Sequence, residues 1–402
     1  MRGSFASLGL AALALAACGT TPPADAPPQP SLPPPALAAP APPPSVLVPA
    51  APPAMATPAP APAPAAGSGV PLDAPAAPPP PPSPPQTLAR GDGTPADTAL
   101  GAGDAAFAKG DFVAAEKAYR KAAGLARKDP APIVGLVRAH AAKAGVPTDY
   151  NAAPRDPVLL AAVRELGAAI KLDDGYAPAH LELGRSLLVL GRGDEAFAEL
   201  KRAVELAPGD AESHSALGVA HLAAGRLGEA TRELSRAADL APGDAERQTN
   251  LGTALLASGK TADAVRAYEK AVHLSPGDAR TLNDLGTALL AENDPARAIP
   301  YLEQAVAKDP QRATYRSNLG YAHHLKGDLP GAMAMYREAL KLDDKLGSAW
   351  INLGNALAQT GQLQEAREAY LKAQALDPGD PRVKAVLDEL SAMERAGVKK
   401  TP

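Results

Sequence analysis

A single cysteine, Cys18, stands in the whole chain, which excludes an internal disulfide framework and any multi-cysteine metal site. Aromatic residues are equally scarce, at 3% of 402 residues, so a conventional core built on aromatic bulk is not available. Charge of one sign is missing too. Acids and bases number 44 and 40, a formal charge of −4, and such a balance generates no field to gather nucleic acid or coat an anionic membrane. No nucleic-acid partner is therefore expected. No alternating strand pattern is visible, so no Gly-rich phosphate loop can follow one.

Catalytic and metal chemistry are just as thinly represented. The histidines that cluster along the sequence are His180, His214, His221, His323 and His324. His214 and His221, seven apart on one helix, would lie ~10 Å apart along its axis, too far to share one ion. No serine or carboxylate is paired with a histidine in a way that would converge on one point. The expectation is a protein that is not an enzyme and holds no metal or cofactor.

What the chain does have begins at its first residues. Arg2 precedes an apolar run over residues 8–17, about half the roughly twenty residues that a membrane-crossing helix needs. A basic start, a short apolar centre and small residues describe a secretory signal. Leu15-Ala16-Ala17-Cys18 resembles the lipobox of bacterial lipoproteins. That resemblance implies a signal peptide over 1–17, acylation of Cys18 and attachment to a membrane through it. Gly19, in place of aspartate, implies by the same analogy the outer membrane, facing the periplasm.

Residues 20–86 are nearly all Pro and Ala, with Asp25 and Asp73 their sole charges and no aromatic side chain. Such a segment buries too little apolar surface to offset its conformational entropy. The expectation is a disordered, polyproline-rich tether over 18–88, able to reach at most ~200 Å at ~3.1 Å per residue.

Beyond it the sequence is periodic. Leu-Gly recurs every 34 residues at Leu183-Gly184, Leu217-Gly218, Leu251-Gly252, Leu285-Gly286, Leu319-Gly320 and Leu353-Gly354. Alanine stands twelve residues after each glycine (Ala196, Ala230, Ala264, Ala298, Ala332, Ala366). It stands again seven residues later (Ala203, Ala237, Ala271, Ala305, Ala339, Ala373). Proline closes five units at Pro208, Pro242, Pro276, Pro310 and Pro378. Each unit reads as helix A, a tight turn and helix B, with the turn at Gly191, Gly225, Gly259, Asn293, Gly327 or Gly361, residues suited to a left-handed helix end. The mid-helix glycine costs about 1 kcal/mol relative to alanine. That cost makes sense if helix B approaches closely there, with the small alanine of the same unit opposite. Pro-Gly-Asp, as at Pro208-Gly209-Asp210, ends helix B and offers an aspartate to cap the next helix A.

This spacing is identified as that of the tetratricopeptide repeat (TPR) family. The resemblance implies an all-α, right-handed α-solenoid of about eight helix pairs. Six regular units would fill 177–380, after two degenerate units over 96–176 interrupted by an insertion at 146–157 that holds Tyr150 and Arg155. Val383, Val386, Leu387 and Leu390 at helical spacing predict a capping helix over 381–396. The resemblance further implies a concave groove that takes partner peptides, lined by Glu246, Thr249, Asn250, Arg280, Asn283, Asp284, Asn318, Tyr321, Asn352 and Asn355. Asn250, Asn318 and Asn352 share one family position, with Asp284 interrupting the row, and an amide there both donates to and accepts from a peptide backbone. Family members that clamp a C-terminal carboxylate carry lysine where this chain has Leu181, Ser215, Thr249, Asn283, Ser317 or Ile351, which disfavours that subtype. The expected function is a non-catalytic scaffold for other envelope proteins, resembling lipoproteins of pilus assembly (Tad-type or pilotin-like). The alternatives are an adaptor for peptidoglycan-processing enzymes and a regulatory partner of a separate glycan transferase.

Overall fold

The computed structural model describes residues 87–147 and 151–398, with side-chain surroundings described as far as residue 391. The signal peptide, Cys18 and the Pro/Ala-rich segment lie outside these residues, as does Tyr150. Among the described residues the chain forms seventeen helices and no strand. They run as α1 (Pro95–Ala108) and α2 (Phe112–Leu125), then α3 (Ala131–Ala144) and α4 (Pro157–Leu172). The six regular pairs follow: α5 (Ala177–Val189) with α6 (Gly193–Leu206), α7 (Ala211–Ala223) with α8 (Leu227–Leu240), and α9 (Ala245–Ala257) with α10 (Thr261–Leu274). Next come α11 (Ala279–Ala291) with α12 (Pro295–Lys308), α13 (Ala313–Leu325) with α14 (Leu329–Leu342), and α15 (Gly347–Gln359) with α16 (Leu363–Leu376). The end is closed by α17 (Pro381–Val398).

Every helix packs on its neighbours in the chain, and each odd-numbered helix also touches the next odd-numbered one, whereas successive even-numbered helices do not meet. A stack in which only one set of helices closes on itself curves toward that set. The odd-numbered helices therefore line the inner, concave face.

The local chemistry that fixes each pair is repetitive. Gly191, Gly225, Gly259, Gly327 and Gly361 all take φ between 71° and 86°, and Asn293 takes 60°, so each helix A ends in the left-handed conformation. The Pro-Gly-Asp corners act as read from sequence: Asp210 accepts from the Ser213 N–H, Asp244 from those of Glu246 and Arg247, and Asp278 from that of Thr281. Where the corner lacks this aspartate, as before α13 and α15, no side chain caps the helix.

The twelve alanines at the two repeat positions are buried, eleven of them with no exposed surface. The partner of the mid-helix glycine differs from the expected alanine. A Cβ built on Gly286 would stand 2.5 Å from Leu302 Cγ, and one on Gly354 would stand 2.3 Å from Tyr370 Cε1. Leu200, Leu234, Tyr268 and Tyr336 fill the same place over Gly184, Gly218, Gly252 and Gly320. The glycine thus seats a large helix-B side chain rather than admitting a small one. Full burial of such a side chain contributes about 1.5–3 kcal/mol.

The folded array starts earlier than residue 96. Leu88 is 2% exposed, and the main-chain N–H groups of Leu88 and Ala89 donate to Asp104 Oδ2 at 2.7 and 3.0 Å. Arg90 pairs with Asp129 at 3.0 Å and lies over the Tyr176 ring. A two-residue apolar contact carries no periodicity, which is why the sequence pattern did not reveal it. The insertion is also anchored. The Asn151 and Ala153 N–H groups donate to the Leu188 and Val189 carbonyls at the end of α5, and Val146 and Ala153 pack on Leu159, Val189 and Leu190. Arg155 in the same loop is exposed. At the other end Val383 and Leu390 of α17 are 1% exposed and cover the last pair, as a cap should.

Candidate partner-binding groove

The concave face divides into two chemically distinct halves. Across α3, α5, α7 and α9 runs a ladder of alternating charge. Arg138 Nε meets Glu182 at 2.8 Å, and Glu182 also meets Arg185 at 3.3 Å. Arg185 pairs in turn with Glu212, and Glu212 with Arg247. Arg138, Glu182 and Arg247 are at most 8% exposed. Burial by itself would raise the Glu182 carboxyl, yet the Arg138 and Arg185 guanidinia hold it below the usual glutamate value. Sequence reading missed this ladder, although Glu182, Arg185 and Glu212 occupy groove positions of the first two regular units.

From α9 onward the helices are joined by neutral groups. Thr249 Oγ1 lies 3.2 Å from Thr281 Oγ1, and the Asn250 amide reaches Ser215 Oγ at 3.4 Å. Asn318 Nδ2 donates to Asn283 Oδ1 at 2.8 Å. Thr249, Asn250 and Asn283 are 5, 7 and 9% exposed, so they hold successive inner helices together and present little surface. The expected row of equivalent amides is therefore uneven. Asn318, Asn352 and Asn355 are half-buried and reach the groove surface, and Tyr321 is 40% exposed beside them. Asn355 Oδ1 accepts from the Tyr370 hydroxyl at 2.8 Å.

Between the two halves lie Glu246, Arg280 and Asp284. Arg280 pairs with Asp284 at 3.7 Å. Burial raises the Asp284 carboxyl to about 6 and the Glu246 carboxyl to about 7. Glu246 Oε1 is buried without a hydrogen-bond partner among the described residues. Because the folded state holds this proton above the ordinary 4.5, stability falls as pH rises from about 4.5 to 7. Glu246→Gln should abolish that component: the variant should exceed the wild type in urea midpoint at pH 8 and match it near pH 4.5. An equal offset at both values would show that the carboxyl titrates normally.

His180 and His214 are packing residues. Each is buried with Nδ1 against a helix-B glutamate (Glu199 at 2.7 Å, Glu233 at 2.8 Å) and Nε2 against the carbonyl of Asp174 or Pro208.

Family models of the tetratricopeptide repeat match at 159–211, 181–245, 215–279, 249–299, 283–347 and 323–390, together more than half of the chain. The chain belongs to the tetratricopeptide repeat family. Among solved structures, the APC/C hetero-tetramer Cut9-Hcn1 aligns with a TM-score of 0.56 at 15% identity. That alignment covers 73% of this chain and 55% of the other, so this TPR chain spans little more than half of that relative. PilF of Pseudomonas aeruginosa aligns at 20% identity and TM-score 0.46, over 54% of this chain and 98% of its own. YrrB, described as a TPR protein with an unusual peptide-binding site, aligns at 21% identity and TM-score 0.38, over 47% and 97%. No curated protein matches the chain. The family match and the shared helical-repeat fold support an interaction scaffold.

Proposed function

We propose that the protein is a non-catalytic scaffold of the bacterial envelope, tethered by lipid at Cys18 and binding segments of partner proteins on its concave face. The observation that supports it best is the neutral, hydrogen-bonding surface of Asn318, Tyr321, Asn352 and Asn355 on consecutive inner helices, where a ladder of self-paired charge fills the other half of the face. The lipobox-like Leu15 to Cys18 supports the anchor and an outer-membrane, periplasm-facing placement. The proline-rich composition of residues 20–86 supports the reading of that segment as a tether. Pilus assembly is the leading pathway. Recruitment of peptidoglycan-processing enzymes or regulation of a separate glycan transferase are the readings to be separated from it.

In-cell cross-linking through residues at Asn318 and Asn352, followed by mass spectrometry, should trap envelope proteins. Pilus subunits, wall hydrolases or a transferase would each select one pathway, and recovery of cytoplasmic proteins alone would refute the placement. Cys18→Ser should abolish incorporation of labelled palmitate and release the protein from membranes. Palmitate labelling that persists in the variant would end the anchor reading.

A further inference from the structure

The inner groove contains one position where the repeats disagree about a buried hydroxyl. Four helix-B tyrosines sit under mid-helix glycines: Tyr119, Tyr268, Tyr336 and Tyr370. Each hydroxyl is carried toward the residue that follows its glycine on the inner helix. Three find a partner there: Tyr119 with Asp104 Oδ1 at 2.9 Å, Tyr268 with Thr253 Oγ1 at 2.9 Å, and Tyr370 with Asn355 Oδ1 at 2.8 Å. In the fifth regular unit that place is held by Tyr321, and the Tyr336 hydroxyl has no partner among the described residues although Tyr336 has no exposed surface. A buried hydroxyl left without a partner destabilises the fold, so a ligand acceptor that reached it would gain what the free protein lacks.

The surroundings say what such a ligand is. Tyr321 holds the position that supplies the partner in the other three units and is itself 40% exposed, and an exposed side chain changes rotamer readily. Asn318 has committed its Nδ2 to Asn283 and keeps its carbonyl oxygen for a donor, while Asn352 on the next inner helix offers both functions. The groove positions of α13 and α15, Thr314, Ser317, Ser348 and Ile351 among them, carry no charge.

We propose that Tyr336, Asn318 and Asn352 form a peptide subsite gated by Tyr321, which takes an uncharged extended segment and donates the Tyr336 hydroxyl to one of its main-chain carbonyls. This rests on the groove reading above, and specifies its ligand chemistry and its centre. The charge ladder of α3 to α9 takes no part, so binding should be nearly independent of salt, unlike recognition through exposed charges.

The test uses the full chain and peptides selected on it from a phage-displayed random library. Selected peptides should lack a charge bias and bind equally from roughly 0.05 to 0.5 M salt. Tyr336→Phe should weaken them about five- to tenfold, the worth of one hydrogen bond, while raising the melting temperature by about 1–3 °C because an unmatched hydroxyl is gone. Tyr268→Phe, which breaks a made bond, should lower the melting temperature and leave binding intact. If peptides bind through Asn318 and Asn352 but Tyr336→Phe binds as wild type, or melts lower as Tyr268→Phe does, the subsite is wrong and the groove reading stands. If no peptide is recovered, or Asn318→Ala with Asn352→Ala binds normally, the groove reading itself fails. Peptides rich in acidic or basic residues with salt-sensitive affinity would likewise overturn the proposal.

Discussion

Gly286→Ala should destabilise the array by about 2–3 kcal/mol, although the same exchange in an ordinary helix stabilises by about 1 kcal/mol. The sign reverses because the added methyl has nowhere to go. It would lie 2.5 Å from Leu302 Cγ and 2.7 Å from Leu302 Cδ2, and Leu302 has no exposed surface into which to withdraw. Gly286→Leu, which must also displace helix α12, should cost still more. Gly167 supplies the control, since it stands in α4 and a Cβ added there would meet nothing within 4 Å. Gly167→Ala should therefore raise stability by about 0.5–1 kcal/mol. Urea midpoints of the three variants decide the matter. A Gly286→Ala protein as stable as Gly167→Ala would show that α11 and α12 do not meet at this glycine.

That glycine also shows how far the sequence could be read. Its 34-residue recurrence, the alanines that follow it and the turn residues gave the helix pairs and their order, because these positions repeat the same side chain in every unit. What fills the glycine's hollow was misassigned to alanine. The true occupant is leucine in three units and tyrosine in the other three, and a varying residue leaves no mark on a search for identity. The groove suffered more from the same limit. Asn318, Asn352 and Asn355 were legible because they stand at family positions in regular units, and the structure leaves them at the groove surface. Asn250 stands at the position of Asn318 and Asn352, yet it is 7% exposed, with its amide turned to Ser215 of the preceding unit. The Tyr336 hydroxyl was invisible for a related reason. Only the comparison of four units in three dimensions shows that one of them lacks the usual partner.

Glu182→Gln should be the most damaging change on the concave face, at about 3–5 kcal/mol. The carboxylate stands between Arg138 and Arg185 with both guanidinia in contact; Arg138 is buried, and the Arg185 side chain is 19% exposed. Gln keeps the size of the side chain, so the loss reports charge rather than volume. Buried Arg138 and partly buried Arg185 are then left facing each other with one neutralising group removed, and Glu212, the next carboxylate along, is already shared by Arg185 and Arg247. An exposed pair gives the contrast: Glu269→Gln, opposite Arg297 at 2.7 Å with both side chains more than 40% exposed, should cost under about 1 kcal/mol. The pH dependence has a definite sign. A carboxyl held below its ordinary value contributes its stability in full above about 4.5 and loses it as pH falls through the folded value. The gap between wild type and Glu182→Gln should thus be widest near neutrality and close on acidification. Because a solenoid shares stability mainly between adjacent units, the damage should also be local. Amide exchange should quicken in α3, α5 and α7 of the variant and stay near wild-type rates in α13 to α16. Uniform acceleration along the whole array, or a stability gap unchanged at low pH, would show that Glu182 does not act through its charge on the two arginines.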